Sequence, residues 1–384
     1  MLNPLDLEVI DLEVYVEGGK VINAKSSGNK LRNYEKMFLN KDARSLYNII
    51  PRVLATCAQS HVYAYANAVS STNLEASKYM VMLEIIESHL RHPYVYWFPY
   101  LGGVEYQFPS GQKFARISKL SREIKGLMEK IGGKWPSIDY LSNKKISIRK
   151  DEILSIISGF EKEVIGMDLD SFLNLTEISE LKGDLKLLKD VPLRRAGIDN
   201  YLVIGFPFLG NFNLEYLSDF GTYVLYNGTY VEVGPLAQAL TFDKMVKNLH
   251  NKYGPSPLLR ELSRIRVIAY LLKMFSDLDY YSDEFKVNKG TGIGIVESIR
   301  GSLIHKVSID EDYKVSNYSI IQPTTFNASP GGALEKAVEG IPIDPKNPWE
   351  LSLAVSSLDS CFVTEVKVYE KDKMILKKRI GGFC

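Results

Sequence analysis

Apolar positions recur along this chain with two periods, one of strands and one of helices. In residues 8–25, Val14 and Val16 alternate with polar neighbours, and Glu17-Gly18-Gly19-Lys20 supplies the turn of a β-hairpin. The pattern then becomes helical. Asp42 stands where it would cap a helix over 43–50, which Pro51 is expected to break. Residues 55–69 are small and apolar with scattered polar atoms, the composition of a helix buried on most sides. Residues 75–92 predict an amphipathic helix stopped by Pro93, and the aromatic run after it reads as a loop over the core. Ile117, Leu120, Ile124, Leu127, Met128 and Ile131 predict a helix over 113–132. Ile153, Ile156, Ile157 and Phe160 predict another over 149–163, after a linker at 132–140. Strands are expected at 202–208 and 222–233, the second turning at Asn227-Gly228, and a long helix at 257–277. A hairpin with a basic second strand follows Cys361. No repeat or composition shift divides the chain. The expectation is α+β: one domain over 1–384, a large helical core with peripheral antiparallel β-hairpins.

Composition narrows the function classes. The 384 residues are 45% hydrophobic and 24% charged, enough apolar content for a substantial core. A formal net charge of +1 gives no electrostatic reason to expect nucleic acid as a partner. No apolar run reaches the roughly 18–20 residues of a membrane helix, and the N-terminus lacks the pattern of a secretory signal. Three cysteines, Cys57, Cys361 and Cys384, are too few for a disulfide framework and suit a reducing compartment. The expected location is cytoplasmic, with any membrane association supplied by partner subunits.

Several residue pairs carry candidate chemistry. On a helix, Cys57 and His61 share one face at i and i+4. That spacing serves two metal ligands, a thiolate held by an imidazolium, or a cysteine and a histidine that simply pack. His89 and His92 have a zinc-like spacing, but no H-E-x-x-H accompanies them. Gly292-x-Gly294 alone is weak evidence for phosphate binding. Arg300 stands three residues from Glu297, the spacing of a local salt bridge, or is free to hold a carboxylate, an anion or water.

Taken together, the motifs carry a resemblance. "PRVLATCAQSH" (51–61), "GIGIVESIRGSLIH" (292–305), "PTTFNASP" (323–330) and "SSLDSCFVTEVK" (356–367) resemble segments of the large subunit of nickel–iron hydrogenases. "YNGTYVEVGPLAQ" (226–238) and "SHLRHPY" (88–94) add to the match. That family holds nickel with two C-x-x-C pairs, two of whose thiolates bridge to iron. Here the first pair reads Leu54 and Cys57, and the second Cys361 and Thr364, so half the metal cage is missing. The resemblance therefore implies a degenerate member in which Cys57 and Cys361 are remnant metal ligands. Arg300, with Cys57 and Cys361, would face the cavity, and His61 and Glu297 would stand beside the cofactor position. Ser298 and Ile299 replace the family's Ala and Pro, and Phe326 replaces its usual Trp. "LRNYE" places Glu35 at a magnesium-type position, where Lys367 replaces the family's histidine and would neutralise the carboxylate. Without that histidine, the tail 368–384 is expected to remain uncleaved, and Cys384 within it is a remote third thiol.

The resemblance implies a hydrogenase-large-subunit-like protein without H2 activity and without a nickel–iron centre. It would serve as a structural, electron-transfer-associated subunit on an iron–sulfur small subunit. The clusters would belong to that partner, since a [4Fe–4S] cluster wants four cysteines. The alternatives are an oxidoreductase using the same cavity for dithiol redox or another metal, and a nickel-dependent hydrogenase with an unorthodox cage.

Overall fold

The computed structural model describes residues 9–27, 34–71, 74–142, 146–148, 150–275, 278–280, 283 and 285–381. Cys384 and residues 31–33 of the "LRNYE" segment lie outside that set. The N-terminal hairpin forms as expected: β1 (Val9–Glu17) and β2 (Lys20–Ser27) turn through Gly18 and Gly19, both with positive φ. A 3₁₀ turn capped by the Asp42 carboxylate leads into α1 (Leu46–Val53). Pro51 does not break this helix, which runs two residues past it. One ladder bond is lost, and the Leu54 N–H still reaches the Ile50 carbonyl at 2.8 Å.

The expected helix over 55–69 divides. Ala55–Cys57 is a 3₁₀ turn, and α2 (Ala58–Val69) begins directly after Cys57. The next helix, α3 (Glu75–Tyr96), continues past Pro93, and the following aromatic stretch buries Trp97 and Phe98 in a short helix rather than a loop. Burial of Tyr94 and bonds from the next turn, including Trp97 N–H to the Pro93 carbonyl at 3.0 Å, outweigh the single missing donor. Then follow α4 (Gln112–Gly132) and a helix over Lys150–Phe160.

Residues 202–208 form no strand. Residues 202–204 follow an isolated bridge between Tyr201 and Glu232, and 205–208 turn, with the Phe208 N–H donating to the Gly205 carbonyl at 3.0 Å. The Asn227-Gly228 turn is present, both residues having positive φ, but its strand is only Val224–Tyr226, paired with Leu217–Asp219. Two helices the periodicity did not single out, Pro235–Phe242 and Lys244–Tyr253, precede α5 (Pro257–Met274).

Gly292 and Gly294 lie on a strand. β3 (Gly290–Ser298), β4 (Gly301–Ile309) and β5 (Val315–Ile321) form an antiparallel meander. Helix α2 lies across β3 and β4. The two glycines explain how closely. A methyl group at Gly292 would fall 1.7 Å from the Ala68 carbonyl oxygen, and one at Gly294 would fall 1.8 Å from that of Ala64. Bare backbone on the strand meets small residues on the helix, and no phosphate loop is formed.

The chain closes with β6 (Val363–Glu370) and β7 (Lys373–Ile380), the expected final hairpin. The two terminal hairpins are not separate. β6 pairs with β1 in parallel, Val9 opposite Val363 through Val16 opposite Glu370, giving the order β7-β6-β1-β2. Leu12, Val14, Val366 and Val368 bury the inner face of this sheet against helices Ala333–Val338 and Trp349–Ser357. The fold is thus mixed α and β, with a helical core and small sheets that are antiparallel apart from this one pair.

Candidate functional site

Three chain segments converge on one point. Cys57 arrives at the N-terminus of α2. Arg300 sits with Ile299 in the two-residue turn between β3 and β4, where Ser298 faces Gly301. The Ser298 hydroxyl donates to the Gly301 carbonyl at 2.9 Å and accepts the Arg300 N–H at 3.3 Å, so the residue that replaces the family's alanine ties the turn. Gly301, at φ +113°, packs against the Gly234 backbone, a conformation and a closeness that a side chain would oppose. The third segment is the C-terminus of helix Trp349–Ser357. Asp359 adopts a left-handed φ of +47° there, the place more often taken by glycine or asparagine, and Cys361 follows on the loop into β6.

The Arg300 guanidinium binds the other two segments together. Its Nε donates to the Asp359 carbonyl at 2.7 Å, Nη2 lies 3.3 Å from the Asp359 carboxylate, and Nη1 donates to Cys57 Sγ at 3.1 Å. Arg300 and Asp359 are both buried. Burial pushes the Asp359 carboxyl upward, but the charge of Arg300, joined by His92 and Arg264, outweighs it and holds the group at about 2. Glu297, three residues before Arg300, is not its partner. It turns away to accept from Ile204 N–H at 2.9 Å, Gln238 Nε2 at 2.9 Å and the Ser302 hydroxyl at 2.6 Å, outside the cavity. Burial raises its carboxyl to about 7.

Cys57 and Cys361 both line a cavity of about 90 Å³, whose wall includes Leu54, His61, Gln322, Tyr34 and Phe362. Both cysteines are free thiols; Cys57 is buried and Cys361 half-buried. The neighbouring Cys57 thiol lowers Cys361, aided by the Arg300 charge and the Thr324 hydroxyl against the opposing effect of burial. The Cys361 sulfur in turn raises Cys57, and burial raises it further. Thr324 also accepts the Cys361 N–H at 3.1 Å. The other hydroxyl of interest, Thr364, is buried on the first turn of β6 and faces a different small pocket beside Asp359 and Ser360.

His61 lines the cavity, but as a neutral ring. Burial lowers it to about 3, its Nδ1 lies 2.9 Å from His305 Nε2, and His305 Nδ1 lies 2.8 Å from the Tyr318 hydroxyl. Of the readings open to that spacing, a thiolate held by an imidazolium is therefore not formed, and the cation beside Cys57 is Arg300. His92 is fully engaged between Glu261 and the Ser356 carbonyl, and so does not form a zinc pair with His89. Lys367 donates to Asp11 at 3.0 Å and lies 3.6 Å from Glu365, rather than meeting Glu35. Glu35 is buried on a separate 3₁₀ turn.

Sequence reasoning passed over three contributors. Asp359 stood in the quoted motif without a role, and Thr324 stood in "PTTFNASP". Glu84 on α3 carried no local signal at all. It accepts from Gln59 N–H (2.7 Å), Ser60 N–H (3.0 Å) and the Ser60 hydroxyl (2.6 Å), capping α2 just behind Cys57. Burial raises it to about 7 despite those bonds, and it faces a second cavity of about 300 Å³ beyond Ala55 and Thr56. Among the described residues, no group of three or more His, Cys, Asp and Glu side chains forms a metal cluster. No helix among them is long and apolar enough to cross a membrane.

Comparison with known proteins places this arrangement. The nickel-dependent hydrogenase family pattern matches residues 265–366. The periplasmic [NiFeSe] hydrogenase large subunit of Desulfomicrobium baculatum is 22% identical, over 91% of this chain and 90% of its own length. The uptake hydrogenase large subunit of Bradyrhizobium diazoefficiens is 31% identical over 110 residues, 27% of this chain and 18% of that one. Among solved structures, the Ni-Fe-Se hydrogenase of D. baculatum superposes with a TM-score of 0.69 at 18% identity, covering 94% of this chain and 98% of that chain. The Ni-Fe-Se hydrogenase of D. vulgaris Hildenborough gives 0.65 at 18% identity, covering 90% and 94%. In sequence over residues 265–366, and in fold over nearly its whole length, this chain is similar to the large subunits of nickel-dependent hydrogenases.

Proposed function

We propose that this chain is a large-subunit-like protein whose nickel–iron site is degenerate. In this reading it has no H2 activity and serves as a structural, electron-transfer-associated subunit docked on an iron–sulfur small subunit. The observation that carries the reading is the donor set of the cavity. Of the four positions at which the resemblance calls for thiolates, only Cys57 and Cys361 carry sulfur. Leu54 lines the same cavity with an aliphatic side chain that has no donor atom. Thr364 offers a neutral hydroxyl, a poor ligand for a soft metal, and faces away from the thiol pair. These residues do not fit a four-thiolate nickel–iron centre, and no reaction step is assigned to one here.

The partner is inferred from the relatives, which are named as large subunits or large chains. Their fold is retained over nearly the whole of this chain, so a docking face can persist without the metal. With three cysteines in all, this chain does not supply the four thiolates of a [4Fe–4S] cluster, which assigns iron–sulfur clusters to the partner. Free thiols at the cavity suit a reducing, cytoplasmic setting, with membrane association only through other subunits.

Metal analysis by mass spectrometry, on the native complex purified without oxygen, tests the reading. The expected result is no stoichiometric nickel, with iron confined to a co-purifying small subunit. Stoichiometric nickel and iron on this chain, with H2 uptake, overturns it.

A further inference from the structure

We propose that Cys57 and Cys361 form a dithiol–disulfide couple that reduces small aliphatic disulfides, with Cys361 as the attacking thiol and Cys57 as the resolving one. The proposal rests on the reading above only in requiring that no metal occupies the two thiols. Geometry assigns the roles. Cys361 is half-buried, lies on the loop between helix Trp349–Ser357 and β6, and faces the open cavity, so an incoming sulfur reaches it first. Cys57 is buried in the wall of the same cavity.

The surroundings serve each half of the reaction. Thr324 accepts the Cys361 backbone N–H at 3.1 Å, which holds the attacking residue's backbone at the cavity wall. Arg300 Nη1 donates to Cys57 Sγ at 3.1 Å, so a guanidinium already stands where negative charge develops when Cys57 loses its proton. The loop placement of Cys361 matters as well. Closing a bond of about 2.05 Å between the two sulfurs requires a side chain to swing, and a loop residue swings more readily than one in a helix or strand. The cavity is small, about 90 Å³. It admits one sulfur and a short arm, with Phe362 and Leu54 against the aliphatic carbons. This favours compact disulfides over bulky ones.

The steps balance. The Cys361 thiolate attacks one sulfur of the substrate disulfide, forming a mixed disulfide and releasing the other sulfur as a thiolate, which takes up a proton. Cys57 passes its proton to solvent through the cavity and attacks Cys361 Sγ, closing the Cys57–Cys361 disulfide and releasing the second thiol. The substrate gains two electrons and two protons, and the protein dithiol loses them.

The test uses the full chain in a Cys384→Ser background, so that only the two cavity thiols remain, with bis(2-hydroxyethyl) disulfide as the probe. The expected result is loss of two hydrogens from the intact mass, a Cys57–Cys361 cross-linked peptide, and reversal by dithiothreitol. In Cys57→Ser the reaction should stop at a mixed disulfide on Cys361, whereas in Cys361→Ser the buried Cys57 should stay unmodified. If either serine variant fails to fold, the cross-link in the parent chain decides alone. Metal-free protein that forms no cross-link, or one in which Cys57 is modified first, overturns the proposal and leaves the scaffold reading standing. Zinc held one-to-one by the two thiols also overturns it. Stoichiometric nickel and iron in the parent chain overturns both.

Discussion

Asp359→Asn isolates the charge that holds the three site segments together. Asparagine keeps the size and tolerates the left-handed backbone that Asp359 adopts at φ +47°, so the change removes charge without adding strain. Its carboxylate is held at about 2 in the folded chain, against about 3.9 unfolded. For a depressed acid, the linked stability is present above the unfolded value and is lost as pH falls from about 4 to about 2. The gap corresponds to about 2–3 kcal/mol. The substitution should cost more than that near neutral pH, about 3–5 kcal/mol, because it leaves the buried Arg300 guanidinium uncompensated. Guanidinium unfolding followed by tryptophan fluorescence reads both quantities, with Trp349 opening the helix that ends at Asp359. Arg44→Met is the control. It breaks a 2.7 Å pair with Asp42 in which the arginine is 59% exposed, and should cost little, since solvent screens such a pair. A loss at Asp359→Asn no larger than this control refutes the reasoning. So does a wild-type advantage that persists undiminished down to about pH 2.

Three further outcomes follow from the same geometry. Gly294→Ala should destabilise the chain by about 1–3 kcal/mol or more, since its methyl group must displace the Ala64 carbonyl. Loss of the His61–His305 imidazole proton signal by NMR would show that α2 has moved off β3 and β4. Truncation after Lys367 removes β7 and the end of β6, including buried Val368 and Ile380, at about 1.5–3 kcal/mol each. A lowered thermal midpoint or an insoluble product is expected, and an unchanged midpoint would show that the tail is dispensable. Glu84 is raised to about 7, so its linked stability is present below about 4.5 and is lost as pH rises towards 7. Glu84→Gln should flatten the stability profile across that window in denaturation series, and an unaltered slope would assign the proton elsewhere.

The elements legible in the sequence were those specified by local pattern. The terminal hairpins alternate and carry their own turns, and α4 and α5 keep an uninterrupted helical period. Residues 202–208 show the limit of that logic. Their strand-like composition is expressed only where a neighbouring strand is available, and here a single bridge to Glu232 is all that the surroundings supply. Partners of buried charges were equally out of reach. Glu297 bonds to Ile204, 93 positions earlier, and Arg300 to Asp359, 59 positions later. Lys367 finds Asp11 because β6 lies parallel to β1, a pairing no local pattern encodes because the whole chain separates the two strands. Cys57, Cys361 and Arg300 were identified through the family motifs, whereas their geometric roles depend on a helix end and a hairpin turn.

One long-range contact did leave a trace. Gly292 and Gly294, two apart on a strand, present bare backbone about 6.7 Å apart on one face. Ala64 and Ala68, four apart on a helix, stand about 6 Å apart on one face. The two spacings match, and the structure seats Gly292 on Ala68 and Gly294 on Ala64. Neither pattern is informative alone, and the glycines by themselves look like a phosphate loop. Read as a pair, they specify where α2 crosses β3, and with it the positions of Cys57, His61 and Arg300. None of these contacts involves a metal ligand at position 54 or 364. The same holds for the Ser298 turn, the Asp359 helix end and the Glu84 cap. The forces that set the cavity are therefore backbone packing and buried ion pairing, and they act without a thiolate at position 54 or 364.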